Sequence, residues 1–369
     1  MHYTLHLTSA CNMRCAYCYV KSGGGVMRFE TAKQVLDTAV SQKQPKTGIA
    51  FFGGEPLLHK DLIKQIVSYA RGLSQNSGCK FYFKLTTNGL MLDEEFVRFC
   101  KGENIFTAIS LDGVRQAHDL HRKDAHGNGT FERVESAASA LLAHLPNSPV
   151  MLTLNPDTVR YYAESVRYLK KLGFVYIFCG LNYSAEWQSA HMRQLKGQYK
   201  KLAEFYYENT LAEVKFYLSP FENKIGSHIN NRTYRQERCE LGKNQLSVAS
   251  DGALYPCLEF VDDPQYKIGD VFSGVDEGLV QQLFNQSKAE SPDCMACAIR
   301  ARCNHACACQ NKRATGAVNR VSAALCRHEQ ILLPIADKLA KRLYRKRSGQ
   351  FIQKHYNEFY PILSILEDR

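Results

Sequence analysis

The sequence predicts an α/β protein: a partial (β/α)6 barrel of parallel strands, followed by a small cysteine-rich domain and a C-terminal helix. Three observations carry this. Six strand-like runs alternate with helical patterns between residues 2 and about 183. The chemically unusual residues fall in loops that follow those strands. Beyond residue 238 the texture changes, and eight of the fourteen cysteines lie there.

The strand-like runs are HYTLHLT (2–8), GIAFF (48–52), KFYFKLT (80–86), IFTAISL (105–111), VMLTLN (150–155) and FVYIFCGL (174–181). Between them lie patterns such as FETAKQVLDTAV and TVRYYAESVRYLKKLG, with apolar residues at helical spacing. Parallel strands need crossover connections, so this alternation implies a parallel sheet with helices outside. Six units suit an open barrel better than a closed one of eight. The first strand runs into three cysteines, the second into GGEP, the third into TNG, the fourth into SLDG and the sixth into NYSAEW. In barrels of parallel strands these loops share one face, so the motifs converge on one mouth. Residues 184 to about 232 read as a polar helical bridge. CELGKNQLSVASDGALYPCLEF then reads as a hairpin turning at SDG (250–252), with a cysteine-dense, poorly periodic segment after it. The expected divisions are 1–185 (barrel), 186–232 (bridge), 233–330 (cysteine-rich domain) and 331–369 (basic and helical).

Composition narrows the function classes. The chain has 369 residues, with 47 Lys and Arg against 36 Asp and Glu, a formal net charge of +11. The basic run KLAKRLYRKR (338–347) reads as a solvated helix face. Metal-bound thiolates would cancel part of the excess charge, so no nucleic-acid partner is expected, whereas an acidic peptide suits the balance. MHYTLHLTSAC lacks the regions of a secretory signal, and no apolar run reaches the length of a membrane span. A cytoplasmic location without membrane contact is therefore expected. In that compartment disulfides are rare, and clustered cysteines indicate metal or redox sites. Cys79, Cys100 and Cys179 stand alone and read as core cysteines.

CNMRCAYC (11–18) sets Cys11, Cys15 and Cys18 in one loop, one thiol short of the usual set for zinc or a four-iron cluster. Structural zinc is the competing reading of that spacing alone. FFGGEP (51–56) adds two glycines, which permit close backbone approach to a ligand, and a carboxylate at Glu55. On Cys11, Cys15, Cys18, the preceding Tyr17, and Gly53-Gly54-Glu55-Pro56, the sequence resembles the radical S-adenosylmethionine (SAM) enzymes. The resemblance implies that three thiolates hold a [4Fe-4S] cluster whose open iron is chelated by S-adenosyl-L-methionine. One electron passed to the sulfonium then yields a 5′-deoxyadenosyl radical able to take hydrogen from an unactivated carbon. It also implies that Gly53, Gly54 and Glu55 face the methionine ammonium. Ser110 and Arg122 would reach the ribose or carboxylate, with Asn88 a further candidate. Asn88-Gly89 and Asp112-Gly113 also read as simple turns. His118 and His121 read as packing or surface residues.

Cys239, Cys257, Cys294, Cys297, Cys303, Cys307 and Cys326 have the spacing of the SPASM extension of radical enzymes, which this region resembles. That resemblance implies two auxiliary [4Fe-4S] clusters, three clusters in all: the first on Cys239, Cys257 and Cys307, the second on Cys294, Cys297, Cys303 and Cys326. Some relatives carry a further cysteine where this chain has Thr233. The first auxiliary cluster therefore has either an open iron or a substitute ligand such as Cys309. Two zinc sites are the competing reading.

The function this resemblance favours is a maturase that abstracts hydrogen from a ribosomally made precursor peptide and closes a thioether or carbon–carbon crosslink. Its partners would be that peptide and an electron donor such as flavodoxin or ferredoxin. The first alternative is an anaerobic sulfatase-maturing, formylglycine-generating enzyme. Such relatives carry an aspartate directly after the second cysteine of the first auxiliary cluster, where this chain has Leu258. Glu259 would then lie on the opposite face of a strand. A small-molecule or sugar-alcohol oxidase is another enzyme reading, and a non-catalytic metal-cluster interaction protein is the alternative from a different class. With the first cysteine at position 11, no leader-binding module is expected before the barrel. No catalytic base is assigned. Tyr183, Glu186 and Trp187 are candidates to line a substrate channel, packing being the other reading of Trp187.

Overall fold

In KFYFKLTT, Phe81, Phe83, Leu85 and Thr87 are buried while Lys80, Tyr82 and Lys84 are exposed. That alternation is what a strand with one face on a core requires. The computed structural model describes residues 1–20, 23, 25–229 and 240–367. The elements run in chain order as β1 (His2–Thr8), α1 (Phe29–Ser41), β2 (Lys46–Gly53), α2 (Lys60–Ser77), β3 (Lys80–Thr87), α3 (Glu94–Gly102) and β4 (Ile105–Ser110). They continue with α4 (Arg115–His121), α5 (Phe131–His144), β5 (Val150–Leu154), α6 (Tyr162–Leu172), β6 (Tyr176–Leu181), α7 (Ser189–Leu211), β7 (Tyr217–Leu218) and α8 (Ser219–Ile229). Beyond them come β8 (Gln245–Val248), β9 (Ala253–Tyr255), β10 (Gly269–Asp270), β11 (Gly274–Val275), α9 (Glu277–Lys288) and α10 (Pro292–Met295). The chain closes with α11 (Ala308–Thr315), α12 (Ala323–Lys346), α13 (Gly349–Tyr356) and α14 (Tyr360–Glu367). All six expected strands form, and the fold is α/β with parallel pairing.

The chain divides into two compact units. The first comprises Met1–Leu111, His118–Leu145 and Cys239–Ala289. In it β1, β2, β3 and β4 pair in parallel, with Leu5 opposite Phe51, Phe51 opposite Leu85 and Leu85 opposite Thr107. The other edge of β1 takes β8 in parallel, and β9, β10 and β11 follow antiparallel. The expected hairpin is therefore β8–β9, and Gly252 in its turn adopts φ +100°, the left-handed region that glycine favours. Leu5, Leu7, Phe51, Phe83 and Ile109 are buried in this core, with Phe51 and Phe83 stacked at 6.0 Å.

The second unit comprises Asp112–Ala117, Pro146–Arg238 and Glu290–Arg369. Here β5, β6 and β7 pair in parallel. Tyr162, Tyr199, Tyr206 and Phe221 are among its largest buried side chains. Residues 338–346 of the basic run lie on α12, which buries Leu339, Ala340 and Leu343 and exposes Lys338, Lys341, Arg345 and Lys346, as a solvated face should. Cys79 and Cys100 are core residues, and Cys179 is only partly buried. Among the described residues no helix is long and apolar enough to cross a membrane.

His6 on β1 is buried edge-on to Phe52 at 5.4 Å, and its Nε2 has no hydrogen-bond partner among the described residues. Burial holds its pKa down to about 4, against 6.5 ordinarily. The folded-state pKa is the lower one, so below pH 6.5 the unfolded chain takes up the proton first and stability falls with pH. Between pH 7 and pH 5 the expected loss is about 2 kcal/mol. Urea melts at the two pH values check this. His6→Phe should remove that part of the slope, and an unchanged slope would exclude His6 as its source.

Candidate active site

Backbone fit shapes the loop that carries the first three cysteines. The Gly54 N–H donates to Thr8 O at 2.8 Å and the Glu55 N–H to Ala10 O at 2.9 Å. Gly53 takes φ +124°, and a Cβ at Gly54 would stand 2.1 Å from Ala10 O. Only glycines allow this approach. On its other side the loop is tied to the segment after α4. Arg14 N–H donates to Lys123 O at 2.7 Å, and Ala16 N–H donates to His121 O at 3.0 Å.

Within that clamp the Cys11 sulfur accepts from the Met13 N–H at 3.4 Å and from Asn88 Nδ2 at 3.6 Å. Burial raises the Cys11 thiol, and the nearby Glu55 and Cys18 add to this, while the two donors act against it. Asn88 Nδ2 also donates to Asn12 Oδ1 at 2.7 Å, and the Leu90 N–H donates to Asn88 Oδ1 at 3.0 Å, so the residue is a turn and a brace at once. The Arg122 guanidinium sits 5.4 Å from the centre of the Tyr17 ring, which lies 5.7 Å from the His121 ring. Ser110 ends β4 and is partly exposed. His118 is fully buried, within 3.0 Å of Thr130 Oγ1, as a packing histidine would be.

Glu55 is fully buried, and its carboxylate faces donors of its own chain. It accepts from Leu57 N–H at 3.0 Å, Thr87 Oγ1 at 2.7 Å and Asn88 N–H at 2.7 Å. Burial pushes its pKa up to about 7 against those bonds and Lys60. The carboxylate thus fastens the end of β3 to the turn after β2. Three thiols on one loop, with N–H donors aimed at the Cys11 sulfur, suit thiolates that hold an iron–sulfur cluster.

Four of the later cysteines influence one another electrostatically, although among the described residues no group of three or more His, Cys, Asp or Glu is disposed to hold a metal ion. Burial raises the Cys326 thiol, and neighbouring Cys297 and Cys294 raise it further. Cys303 is pushed up to about 12 by burial and Glu329, with Cys326 contributing. Cys307 Sγ lies 3.4 Å from Cys309 Sγ, and Cys257 is buried in the first unit. Cys239 lies outside the described residues, as does Thr233. The strand expected through Leu258 and Glu259 is corrected: Cys257 is extended and caps a 3-10 turn over Leu258–Phe260. Adjacent side chains there are about 120° apart, so two-face alternation does not apply.

Sequence reasoning missed a buried polar cluster in the second unit. Tyr183 and Tyr199 hydroxyls lie 2.7 Å from Nδ1 and Nε2 of His328. Burial and Lys224 hold His328 down to about 3, so one ring nitrogen donates and the other accepts. Lys224 Nζ meets Glu329 at 2.6 Å beside a cavity of about 120 Å³. No local signal marks partners so far apart in sequence. Trp187 donates through Nε1 to Asn182 O at 2.8 Å, and Glu186 is exposed.

Residues 5–169 match the family model of the Radical SAM superfamily. Over those residues the chain carries a radical SAM domain. It is similar to the cysteine-type anaerobic sulfatase-maturating enzyme of Clostridium perfringens (strain 13 / Type A), 26% identical over 301 residues, 76% of this chain and 79% of that one. The serine-type anaerobic sulfatase-maturating enzyme of Bacteroides thetaiotaomicron is 24% identical over 395 residues, 94% of this chain and 92% of the relative. Among solved structures, native anSMEcpe with bound AdoMet and Cp18Cys peptide matches with TM-score 0.77 and 22% identity, over 93% of this chain and 99% of that one. Streptococcus suis SuiB bound to precursor peptide SuiA matches with TM-score 0.60 and 13% identity, over 88% and 75%. These structural likenesses establish a shared fold.

Proposed function

We propose that this chain is a peptide-modifying radical SAM enzyme with SPASM-type auxiliary clusters, oxidising a side chain of its substrate as sulfatase-maturating enzymes do. The observation that carries this reading is the fold shared along 99% of a peptide-bound anSMEcpe, together with sequence likeness to two sulfatase-maturating enzymes. In this reading Cys11, Cys15 and Cys18 hold the cluster that binds S-adenosyl-L-methionine. Cys294, Cys297, Cys303 and Cys326 hold one auxiliary cluster, and Cys239, Cys257 and Cys307 the other, with Cys309 as its fourth ligand. When bound, the SAM cluster supplies a radical that takes hydrogen from the substrate carbon. The protein's part is to orient and to keep water out. Asn88 braces the Cys11 sulfur, Gly53 and Gly54 set the loop height, and Arg122 on Tyr17 walls the co-substrate with Ser110. Glu259, freed from strand alternation by its 3-10 turn, takes the role of base. A flavodoxin or ferredoxin in the cytoplasm would supply electrons.

Crosslinking of a precursor peptide is the second reading, favoured by Leu258 at the position where sulfatase-maturing relatives have aspartate. The two separate by product. Reduced, anaerobic protein is incubated with S-adenosyl-L-methionine and the Cp18Cys peptide, then with a hydrazide. The expected result is 5′-deoxyadenosine and a hydrazide-reactive aldehyde on the peptide. A peptide encoded beside the gene that loses two hydrogens and gains no aldehyde would support crosslinking instead. Iron-replete protein that modifies neither peptide would overturn the peptide reading.

A further inference from the structure

Along α7 and α12 the second unit leaves a groove of about 600 Å³, within the range of roughly 300–1,000 Å³ that ligand pockets occupy. Trp187, Met192 and Ile331 give it an apolar lining. Arg193, Lys196 and Arg327 also line it and are exposed, and among the described residues no Asp or Glu does. None of these three cations forms an ion pair among the described residues. The contrast lies on the same two helices, where Arg342 of α12 grips both carboxylate oxygens of Glu204 on α7 at 2.5 and 3.0 Å. Pro334, inside α12 and also lining the groove, has no N–H to give the Gln330 carbonyl. That leaves an acceptor without its helical donor beside the apolar lining.

We propose that this groove docks an acidic segment of the peptide substrate, its apolar side chains on Trp187 and Met192 and its carboxylates on Arg193, Lys196 and Arg327. The inference rests on the peptide reading above. Charge complementarity selects an acidic occupant. The concave apolar lining selects a flexible chain, which can lower side chains into the groove, over the convex face of a folded acidic electron carrier. The Gln330–Cys326 contact of 3.6 Å, which would suit such a carrier, makes it the rival to test.

Trp187 is the only tryptophan in the chain, so its emission reports the groove alone. The full-length anaerobic protein is titrated with a blocked heptapeptide of glutamate, leucine and isoleucine, without SAM. A second titration uses the same peptide with glutamine for glutamate. The expected result is a saturable shift of Trp187 emission that weakens with salt, at least tenfold tighter for the acidic peptide. Arg193→Glu with Lys196→Glu should lose that tenfold while leaving 5′-deoxyadenosine release without peptide unchanged, which shows an intact fold. Equal binding of the two peptides, or indifference to the double reversal, overturns the proposal. So does a Trp187 response to flavodoxin but not to the peptide. If the Cp18Cys peptide is modified while the acidic peptide fails to bind, the groove falls and the peptide reading stands. Charge-selective peptide binding without modification of any peptide shows that the groove takes an acidic chain that is not a substrate, which overturns the proposal together with that reading.

Discussion

Gly54→Ala is expected to strip the protein of the iron proposed above for Cys11, Cys15 and Cys18 and to lower 5′-deoxyadenosine release on the order of 100-fold. The added methyl would stand 2.1 Å from Ala10 O, 2.6 Å from Ala10 C and 2.8 Å from Ser9 O. All three are backbone atoms, so no side chain can swing aside. Relief requires the cysteine loop to move by about 1 Å, a displacement that commonly costs 100-fold when it misplaces reacting groups. Movement would also stretch the bonds from Gly54 and Glu55 N–H to Thr8 O and Ala10 O, which fix the loop height. Arg14 and Ala16 would still hold the far end to Lys123 and His121, so the strain concentrates near Cys11.

Iron analysis, cluster absorbance and 5′-deoxyadenosine yield provide the readout, with Gly72→Ala as the control. Gly72 lies inside α2 with nothing near its missing Cβ, so alanine there should stabilise by about 0.5–1 kcal/mol and leave iron unchanged. Full iron and turnover in Gly54→Ala would show that the loop tolerates displacement and that the close approach has no bearing on the site.

The contrast between Gly54 and Glu55 shows what a sequence reveals of such a site. The glycine pair was legible because steric exclusion is a property of residue type, and the cysteine spacing because a loop's span is set by its length. The bond that the Glu55 carboxylate accepts from the Asn88 N–H was not legible, because the β2–β3 register sets it. The six long strands were legible through apolar alternation, whereas β7, β10 and β11 have two residues each and carry no periodicity. At Leu258 a short apolar context suggested a strand, but the extended Cys257 starts a 3-10 turn there, which alternation rules cannot foresee. The Arg122–Tyr17 stack depends on backbone bonds between residues more than a hundred apart, and Lys224 and Glu329 meet across a similar gap. Long-range polar pairs leave no local pattern.

Glu329→Gln is expected to destabilise the protein by roughly 3–5 kcal/mol, the usual cost of leaving one partner of a buried ion pair alone. The Lys224 and Glu329 side chains are 6% and 2% exposed, so water cannot replace either partner. Without the carboxylate, the Lys224 ammonium still donates to the Arg302 carbonyl at 3.1 Å. The same lysine's backbone carbonyl accepts from Arg302 Nη2, and Arg302 forks onto Asp337 at 2.9 and 2.5 Å, so the loss spreads along α8 and α12. Lys224→Met with Glu329→Leu removes both charges at similar volume and should fall within about 1–2 kcal/mol of the parent, because neither desolvated ion remains. The double variant should also keep its iron. Glu329 is, after burial, the main influence raising the Cys303 thiol, so its removal eases formation of the thiolate at that position. Anaerobic thermal and urea melts of Glu329→Gln, Lys224→Met, Glu329→Leu and the double variant read the stability, and iron content reads the cysteines. A double variant as unstable as the sum of the singles would mean that packing, not charge pairing, sets their cost. A stable double variant lacking iron would mean instead that the pair positions Cys303 and Cys326 for the metal proposed there.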